Sequence, residues 1–558
     1  MTIELSPFQV ERAKYDPRVP KALVDVGAIT AEPLGSAEPD VDEDQKVQLK
    51  GIFPSLYGMP MLKLLPGGTL STDKPLRVGC VLSGGQAPGG HNVICGLYEA
   101  LKQIHQDSVL LGFLGGPSGI LKNRTREITP EIIAAYRNTG GFDMLGSGRT
   151  KIESKDDFAK CRAVAEELKL DAIVIIGGDD SNTNAALMAE HFKQTGCGVT
   201  IVGVPKTIDG DLKNRYVEMS FGFDTATRLY AEIVANICRD AMSARKYYHF
   251  IRLMGRSASH ITLEVAFQTH PNVTLVSEEV AYKKQTLLEI VEEVGKVIIA
   301  RAEKGLNYGI VVLPEGLIEH IPEIKILIKE LNQIMIDHGN YMASLKGYTE
   351  QSEYLIQKLS RDSAYTFMKL PYEVRRQMLM DRDPHGNVQV SRIETERLII
   401  DLLEIYLGEK KADGLYKGDF SYQRHFLGYE GRCAPPTNFD TDYSTALGRT
   451  AAALIRNKAS GYMSVVRNLT QNRSKWEAIG VPLTAMMNIE LRHGKNKPVI
   501  QKSYVEMGGP SFRFFSTKRD AWGVNDMFKN PGAIQYFGPA HIVDQAPITL
   551  TLDAEKAV

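Results

Sequence analysis

Three short stretches of this chain carry residue types that could handle phosphate. The first, Ser83-Gly84-Gly85-Gln86-Ala87-Pro88-Gly89-Gly90-His91-Asn92, is a glycine-rich loop. Its bare backbone lets N–H groups approach an anion at a helix N-terminus. The second, Gly177-Gly178-Asp179-Asp180-Ser181-Asn182, sets two carboxylates behind two glycines. Hard carboxylate oxygens suit Mg²⁺, which binds phosphate substrates through one or two carboxylates and several waters. The third, Pro205-Lys206-Thr207-Ile208-Asp209-Gly210-Asp211, places a lysine beside two carboxylates. Phosphoryl transfer between anions needs that pairing, a cation on the donor and a base on the acceptor hydroxyl. Each stretch alone has a plainer reading: glycines for a tight strand-to-helix turn, Asp180 or Ser181 as a helix cap, and a solvated ion pair. The first loop does not match GxxxxGK[ST]. No strand is followed by GxGxxG with an acidic residue about 20 positions later, so P-loop and nicotinamide-dinucleotide readings lose ground.

The elements that must position these residues are short apolar runs that end in glycine or proline. Val78–Leu82, Val109–Phe113, Ala172–Ile176 and Ile201–Val204 read as parallel strands with crossover helices. In an open α/β sheet the ligand sits beyond the carboxyl ends of the strands, which is where the three stretches fall. A later set, Phe250–Leu253, Val273–Val276 and Ile310–Leu313, suggests a second sheet, with the boundary in a long helix near residues 225–245. Residues 1–75, rich in proline and acidic residues, read as an extended arm. Between about 317 and 420, Leu/Ile/Lys/Glu-rich segments such as Ile324–Met335 and Ile393–Tyr406 read as a helical insertion.

In their order and separation, GGQAPGGHN, LGSGR, GGDDS, PKTIDGD, GFDTA, MGR, PEG and YEGR resemble the phosphofructokinase family over about residues 76–455. The segment Asp381–Val388 within the insertion resembles its long, pyrophosphate-dependent branch. The resemblance implies transfer of a phosphoryl group from pyrophosphate to the 1-hydroxyl of fructose 6-phosphate, in a reaction that runs toward glycolysis or gluconeogenesis. By the same carry-over Asp209 is the general base and Asp179 holds Mg²⁺, with Asp211 nearby. Arg149 lies across the transferring phosphoryl group, and Gly85 gives pyrophosphate a backbone contact. ATP-using relatives have glycine where Asp180 stands and commonly glycine where Lys206 stands. A carboxylate at 180 would take the place of a nucleotide α-phosphate, and Lys206 would neutralise the far phosphate of a short donor. Gln86, where those relatives carry a carboxylate, and Tyr429, where they often carry histidine, agree with the pyrophosphate branch.

For the sugar phosphate the resemblance nominates Thr207, Asp209, Met254, Gly255, Arg256, Glu315, Tyr429, Glu430, Gly431 and Arg432. Lys246 and Tyr247 resemble residues that the family contributes from a neighbouring subunit, which implies a homodimer with a shared active site. The implied architecture is two Rossmann-like α/β domains of the phosphofructokinase fold. Residues 76–240 would bind pyrophosphate and Mg²⁺, residues 241–316 and 421–558 would bind the sugar, 317–420 would be the insertion, and the active site would lie in the cleft between the domains. The nearest alternatives are an ATP-dependent enzyme, disfavoured by Asp180 and Lys206, and a non-catalytic regulatory subunit. The latter would be expected to lose site residues, yet Asp179, Asp209, Arg256 and Arg432 are all present.

Composition agrees and excludes other classes. With 558 residues, 43% hydrophobic and 24% charged, the chain is ordinary globular protein of two to four domains. Its 66 basic and 67 acidic residues leave a net charge of -1, no footprint for nucleic acid or an anionic membrane. The cysteines at 80, 95, 161, 197, 238 and 433 form no CxxC pair, which fits a reducing cytoplasm. No apolar h-region opens the chain and no run of about 18 apolar residues follows, so a soluble, unsecreted protein is expected. No chemistry is legible in residues 456–558.

Overall fold

The computed structural model describes all residues except 1–4, 68–73, 381–387, 389–392, 493–494, 535–538 and 555–558. Residues 381–387, on which the resemblance to the pyrophosphate-dependent branch partly rests, therefore lie outside the described residues. In chain order the strands are β1 (Ile29–Ser36), β2 (Pro60–Pro66), β3 (Arg77–Leu82), β4 (Val109–Phe113), β5 (Thr125–Glu127), β6 (Ala172–Gly177), β7 (Thr200–Pro205), β8 (Tyr248–Leu253), β9 (Val273–Thr274), β10 (Gly309–Pro314), β11 (Tyr422–Leu427), β12 (Tyr462–Arg467), β13 (Glu477–Pro482), β14 (Met487–Arg492) and β15 (Lys495–Ile500).

The chain divides into two compact units. The first comprises Met1–Leu229, Tyr429–Ser503 and Ile534–Val558, and the second Tyr230–Gly428 and Tyr504–Ala533. In the first unit, among the described residues, nine strands form one sheet in the order β1-β2-β13-β12-β7-β6-β3-β4-β5. Its centre is parallel, β4 beside β3, β3 beside β6, β6 beside β7, and β7 beside β12. Every residue of β6 and β7 is buried, as expected where helices cover both faces, and this is why these strands read as continuous apolar runs. After β3 the chain moves to β4 on one side, whereas β6 lies on the other. The carboxyl ends of β3 and β6 thus form the kind of switch point where α/β sheets open a crevice.

The described residues among 1–75 are not an extended arm. β1 and β2 pair antiparallel, and β2 joins β13, so both strands extend the sheet at its edge. Most of β1 is exposed, and Pro33 coincides with a break in its register, so no alternation of buried and exposed residues marks it in the sequence. The N-terminal helix Pro7–Ala13 is pinned by Arg12, whose buried guanidinium donates to the carbonyl of Pro436 and the hydroxyl of Thr441.

The second unit holds a parallel sheet in the order β11-β8-β10-β9. Among the described residues, five helices between Pro322 and Ala412 make up the expected insertion. They share one core with the sheet: Ile324, Leu327, Leu331 and Ile334, spaced along one face of helix Pro322–Ser344, join the cluster that holds Val294, Ile298, Val311 and Leu313. The ion pair of Arg252 on β8 with Glu396 on helix Thr395–Ala412, at 2.8 Å, ties the same layers together. The division between the units falls inside helix Phe223–Ala244, between Leu229 and Tyr230. Residues 429–503, expected with the second sheet, belong instead to the first unit. Helix Asn438–Arg456 is buried there on all sides, and β12 and β13 complete the large sheet.

Candidate active site

Parallel register brings the three glycine- and aspartate-bearing stretches together at one edge of the first sheet. Leu82 of β3 pairs with Ile176 of β6, and Gly177 of β6 pairs with Pro205 of β7, so the residues that follow emerge side by side. The Ser83 N–H donates to the Ile176 carbonyl at 2.8 Å and the Lys206 N–H to the Gly177 carbonyl at 3.0 Å. From the other side the Gly84 N–H donates to the Gly148 carbonyl at 2.9 Å, which sets Arg149, exposed, one residue beyond the glycine loop. His91 braces this segment: its Nε2 accepts from the Met144 N–H at 3.3 Å while Nδ1 lies 2.8 Å from the Thr139 hydroxyl. Burial holds its pKa down at about 4, so the ring is neutral and makes both contacts.

Two glycines make room for two cations. A Cβ on Gly84, whose φ is +85°, would lie 3.3 Å from Lys206 Nζ, and one on Gly85 would lie 3.1 Å from Arg432 Nη2. Arg432 sits on the short helix Tyr429–Cys433, its guanidinium 5.2 Å from the Tyr429 ring centre. Its Nε is buried without a hydrogen-bond partner among the described residues, a donor held ready for an anion. The YEGR residues Tyr429, Glu430, Gly431 and Arg432 are thus placed with Thr207 and Asp209 in the first unit.

Lys206 is only 5% exposed. Burial lowers its pKa to about 8; nearby Asp209, Asp179 and Asp211 push the other way, and Arg432 adds to the fall. An ammonium that loses its proton near pH 8 cannot hold a phosphate above that pH. In the free enzyme kcat/KM for a phosphate donor is therefore expected to fall about tenfold per pH unit above about 8, and Lys206→Arg is expected to abolish that limb. A pH profile of both proteins checks this, and an unchanged limb in the variant would assign it to another group.

Asp209 is half-buried in a turn set by its own N–H donating to Thr207 Oγ1 at 3.0 Å, with Gly210 at φ +72° beyond it. Asp179 and Asp180 open helix Asp179–Gln194, whose first turn favours negative charge. Gly178 takes the capping position, so Asp180 is not the cap, and it stands exposed. Burial raises the pKa of Asp179, against the opposing pull of Lys502.

Ser181 and Asn182, part of the second stretch but given no role beyond a possible helix cap, and Lys502 also shape this edge. Asn182, fully buried, donates to the carbonyls of Gly177 at 2.6 Å and Gly178 at 2.9 Å and locks the turn. Ser181 donates to Ser83 Oγ at 2.8 Å, joining two of the loops. Lys502, from the stretch in which no chemistry was legible, places Nζ 3.4 Å from Asp179 and 3.5 Å from Asp211. An ammonium already bridges these two carboxylates, so the donor set suits a small divalent cation. Among the described residues no group of three or more His, Cys, Asp or Glu could hold a metal, so a cation here would take its remaining ligands from substrate oxygens and water.

In the second unit the ends of β8 and β10 meet in the same manner. Leu253 pairs with Pro314, and the Glu315 N–H donates to the Leu253 carbonyl at 2.8 Å. Met254 and Glu315 are buried, Gly255 has φ +126°, and Arg256 is exposed. The two loops press so closely that a Cβ on Gly316 would stand 1.8 Å from the Arg256 carbonyl oxygen. Lys246 and Tyr247 are not brought to this end. They precede β8, whose six residues put about 20 Å of strand between them and Met254.

The phosphofructokinase family model matches residues 77–366. A protein of Treponema pallidum named pyrophosphate-fructose 6-phosphate 1-phosphotransferase is 50% identical over 99% of this chain and 97% of its own length. One of the same name from Porphyromonas gingivalis is 47% identical over 98% and 99%. The crystal structure of a pyrophosphate-dependent phosphofructokinase from Marinobacter aquaeolei, at 15% identity, superposes with a TM-score of 0.52 over 85% of this chain and 97% of its own, a likeness of fold. With near-full-length identity of this order and the motif-bearing strand ends in place, the chain belongs to the phosphofructokinase family.

Proposed function

We propose that the protein is a pyrophosphate-dependent phosphofructokinase, transferring a phosphoryl group reversibly from pyrophosphate to the 1-hydroxyl of fructose 6-phosphate. The observation that carries this reading is the convergence of Gly84-Gly85, Asp179-Asp180 and Lys206 to Asp209 at three adjacent strand ends, with a buried lysine at their centre. In the forward direction Asp209 takes the proton of the sugar 1-hydroxyl as its oxygen bonds to phosphorus. The bridging P–O bond breaks, and phosphate leaves against Lys206. The loose transition state demands position and charge more than nucleophile activation, and Arg149 supplies a donor to the transferring oxygens. Gly85 gives pyrophosphate a backbone contact.

Asp179, with Asp211, would hold Mg²⁺, which supplies charge neutralisation between the phosphates when bound. As sugar-phosphate ligands this reading carries over Thr207, Asp209, Met254, Gly255, Arg256, Glu315, Tyr429, Glu430, Gly431 and Arg432. Lys246 and Tyr247 lie at the far end of β8, so one small molecule cannot reach both ends of that strand in one chain. That separation supports a homodimer in which they serve the partner's site. All six cysteines are free, in keeping with a cytoplasmic enzyme, and among the described residues no helix is long and apolar enough to cross a membrane.

The test is the rate of fructose 1,6-bisphosphate formation from fructose 6-phosphate and Mg²⁺ with pyrophosphate or ATP. Activity with pyrophosphate and not with ATP is expected. Strong ATP activity would overturn the donor, and inactivity with both would favour a regulatory subunit.

A further inference from the structure

Lys502 is held in place by the element that carries Asp179. The hairpin of β14 and β15 ends at Ile500, whose N–H donates to Thr183 Oγ1 at 3.0 Å, and that same hydroxyl donates to the Asp179 carbonyl at 2.9 Å. The Gln501 N–H donates to the Met486 carbonyl at 2.9 Å and the Ser503 N–H to the Asp211 carbonyl at 2.7 Å. The backbone on both sides of Lys502 is therefore tied down, and its ammonium rests between two carboxylates, 3.4 Å from one and 3.5 Å from the other. Its side chain is about one-fifth exposed and that of Asp211 one-tenth, so solvent screens the pair only in part.

A divalent cation arriving at Asp179 and Asp211 meets a positive charge already seated there. Either the ammonium moves or the metal stays out. Pyrophosphate changes the balance, because it brings negative charge that both cations can share. We propose that Lys502 is a built-in counter-ion that keeps free metal from the Asp179–Asp211 pair, so that the metal enters with the diphosphate and not ahead of it. The inference rests on the assignment of Mg²⁺ to Asp179. Lys502 acts here as a positioning residue: it keeps two neighbouring carboxylates from repelling each other in the empty enzyme and yields when the donor arrives.

The test measures binding of Mn²⁺, as a spectroscopic stand-in for Mg²⁺, to the full chain by electron paramagnetic resonance, with and without the non-hydrolysable analogue methylene diphosphonate. Wild type is expected to bind Mn²⁺ weakly alone and tightly with the analogue. Lys502→Gln is expected to bind Mn²⁺ alone roughly 10–100-fold more tightly than wild type, since a unit charge within a few ångströms is removed. Lys502→Arg, which keeps the charge, is expected to restore the dependence on the analogue, which a merely structural role would not predict. Equal affinity of Lys502→Gln and wild type for Mn²⁺ alone, with Asp179→Asn losing the metal, would overturn the role of Lys502 and leave the metal assignment standing. If Asp179→Asn bound Mn²⁺ with the analogue as tightly as wild type, the metal assignment would fall, and this proposal with it.

Discussion

Asp209→Asn is expected to lower kcat by about 10²–10⁴, the range over which a positioned general base contributes. The substitution keeps the shape of the side chain and leaves in place the Thr207 turn, which is made by the backbone N–H of residue 209. The amide cannot accept the sugar proton, so the loss should appear in kcat, with KM for pyrophosphate changed far less. A second consequence follows from the neighbouring lysine. The Asp209 carboxylate is the strongest of the charges that hold the Lys206 pKa up against burial. Its removal should therefore shift the alkaline limb of the pH profile to lower pH. Steady-state kinetics across pH check both points, and a variant with near wild-type kcat would show that the base is another group.

Asp180→Gly is expected to move the donor preference, the ratio of kcat/KM for pyrophosphate to that for ATP, by about 10²-fold toward ATP, as removing one repulsive charge from a phosphate site allows. Asp180 is exposed in the first turn of helix Asp179–Gln194 and does not cap it, so its loss should leave the strand ends undisturbed. Glycine there costs the helix about 0.5–1 kcal/mol, too little to unfold a large unit. Initial rates with each donor at fixed fructose 6-phosphate measure the shift. An unchanged ratio would mean that Asp180 does not guard the nucleotide's place.

The parallel strands were the most legible part of the fold. β6, β7 and β10 are buried at every position, so burial on both faces wrote itself into the sequence as apolar runs, whereas β8, equally buried, carries His249 and Arg252 within it. β1, at the edge, and β2 beside it were missed for the complementary reason, since strands with few fully buried residues bear no periodic mark. The membership of residues 429–503 was misplaced because a chain's return to an earlier sheet is decided by packing across long sequence separations, here β12 beside β7.

At the site, the grouping of glycine, aspartate and lysine directly after buried strands was legible in the sequence, and the parallel register of β3, β6 and β7 brings those residues side by side. Residue type and order alone were enough for the α/β class, the strand ends and the kinds of residue grouped on them. Packing between distant segments sets Arg432 over Gly85, buries Lys206 deeply enough to lower its pKa to about 8, and places Lys502 between Asp179 and Asp211. Each of these is a contact or a desolvation that arises between segments far apart in the chain, and local residue spacing carries no record of it.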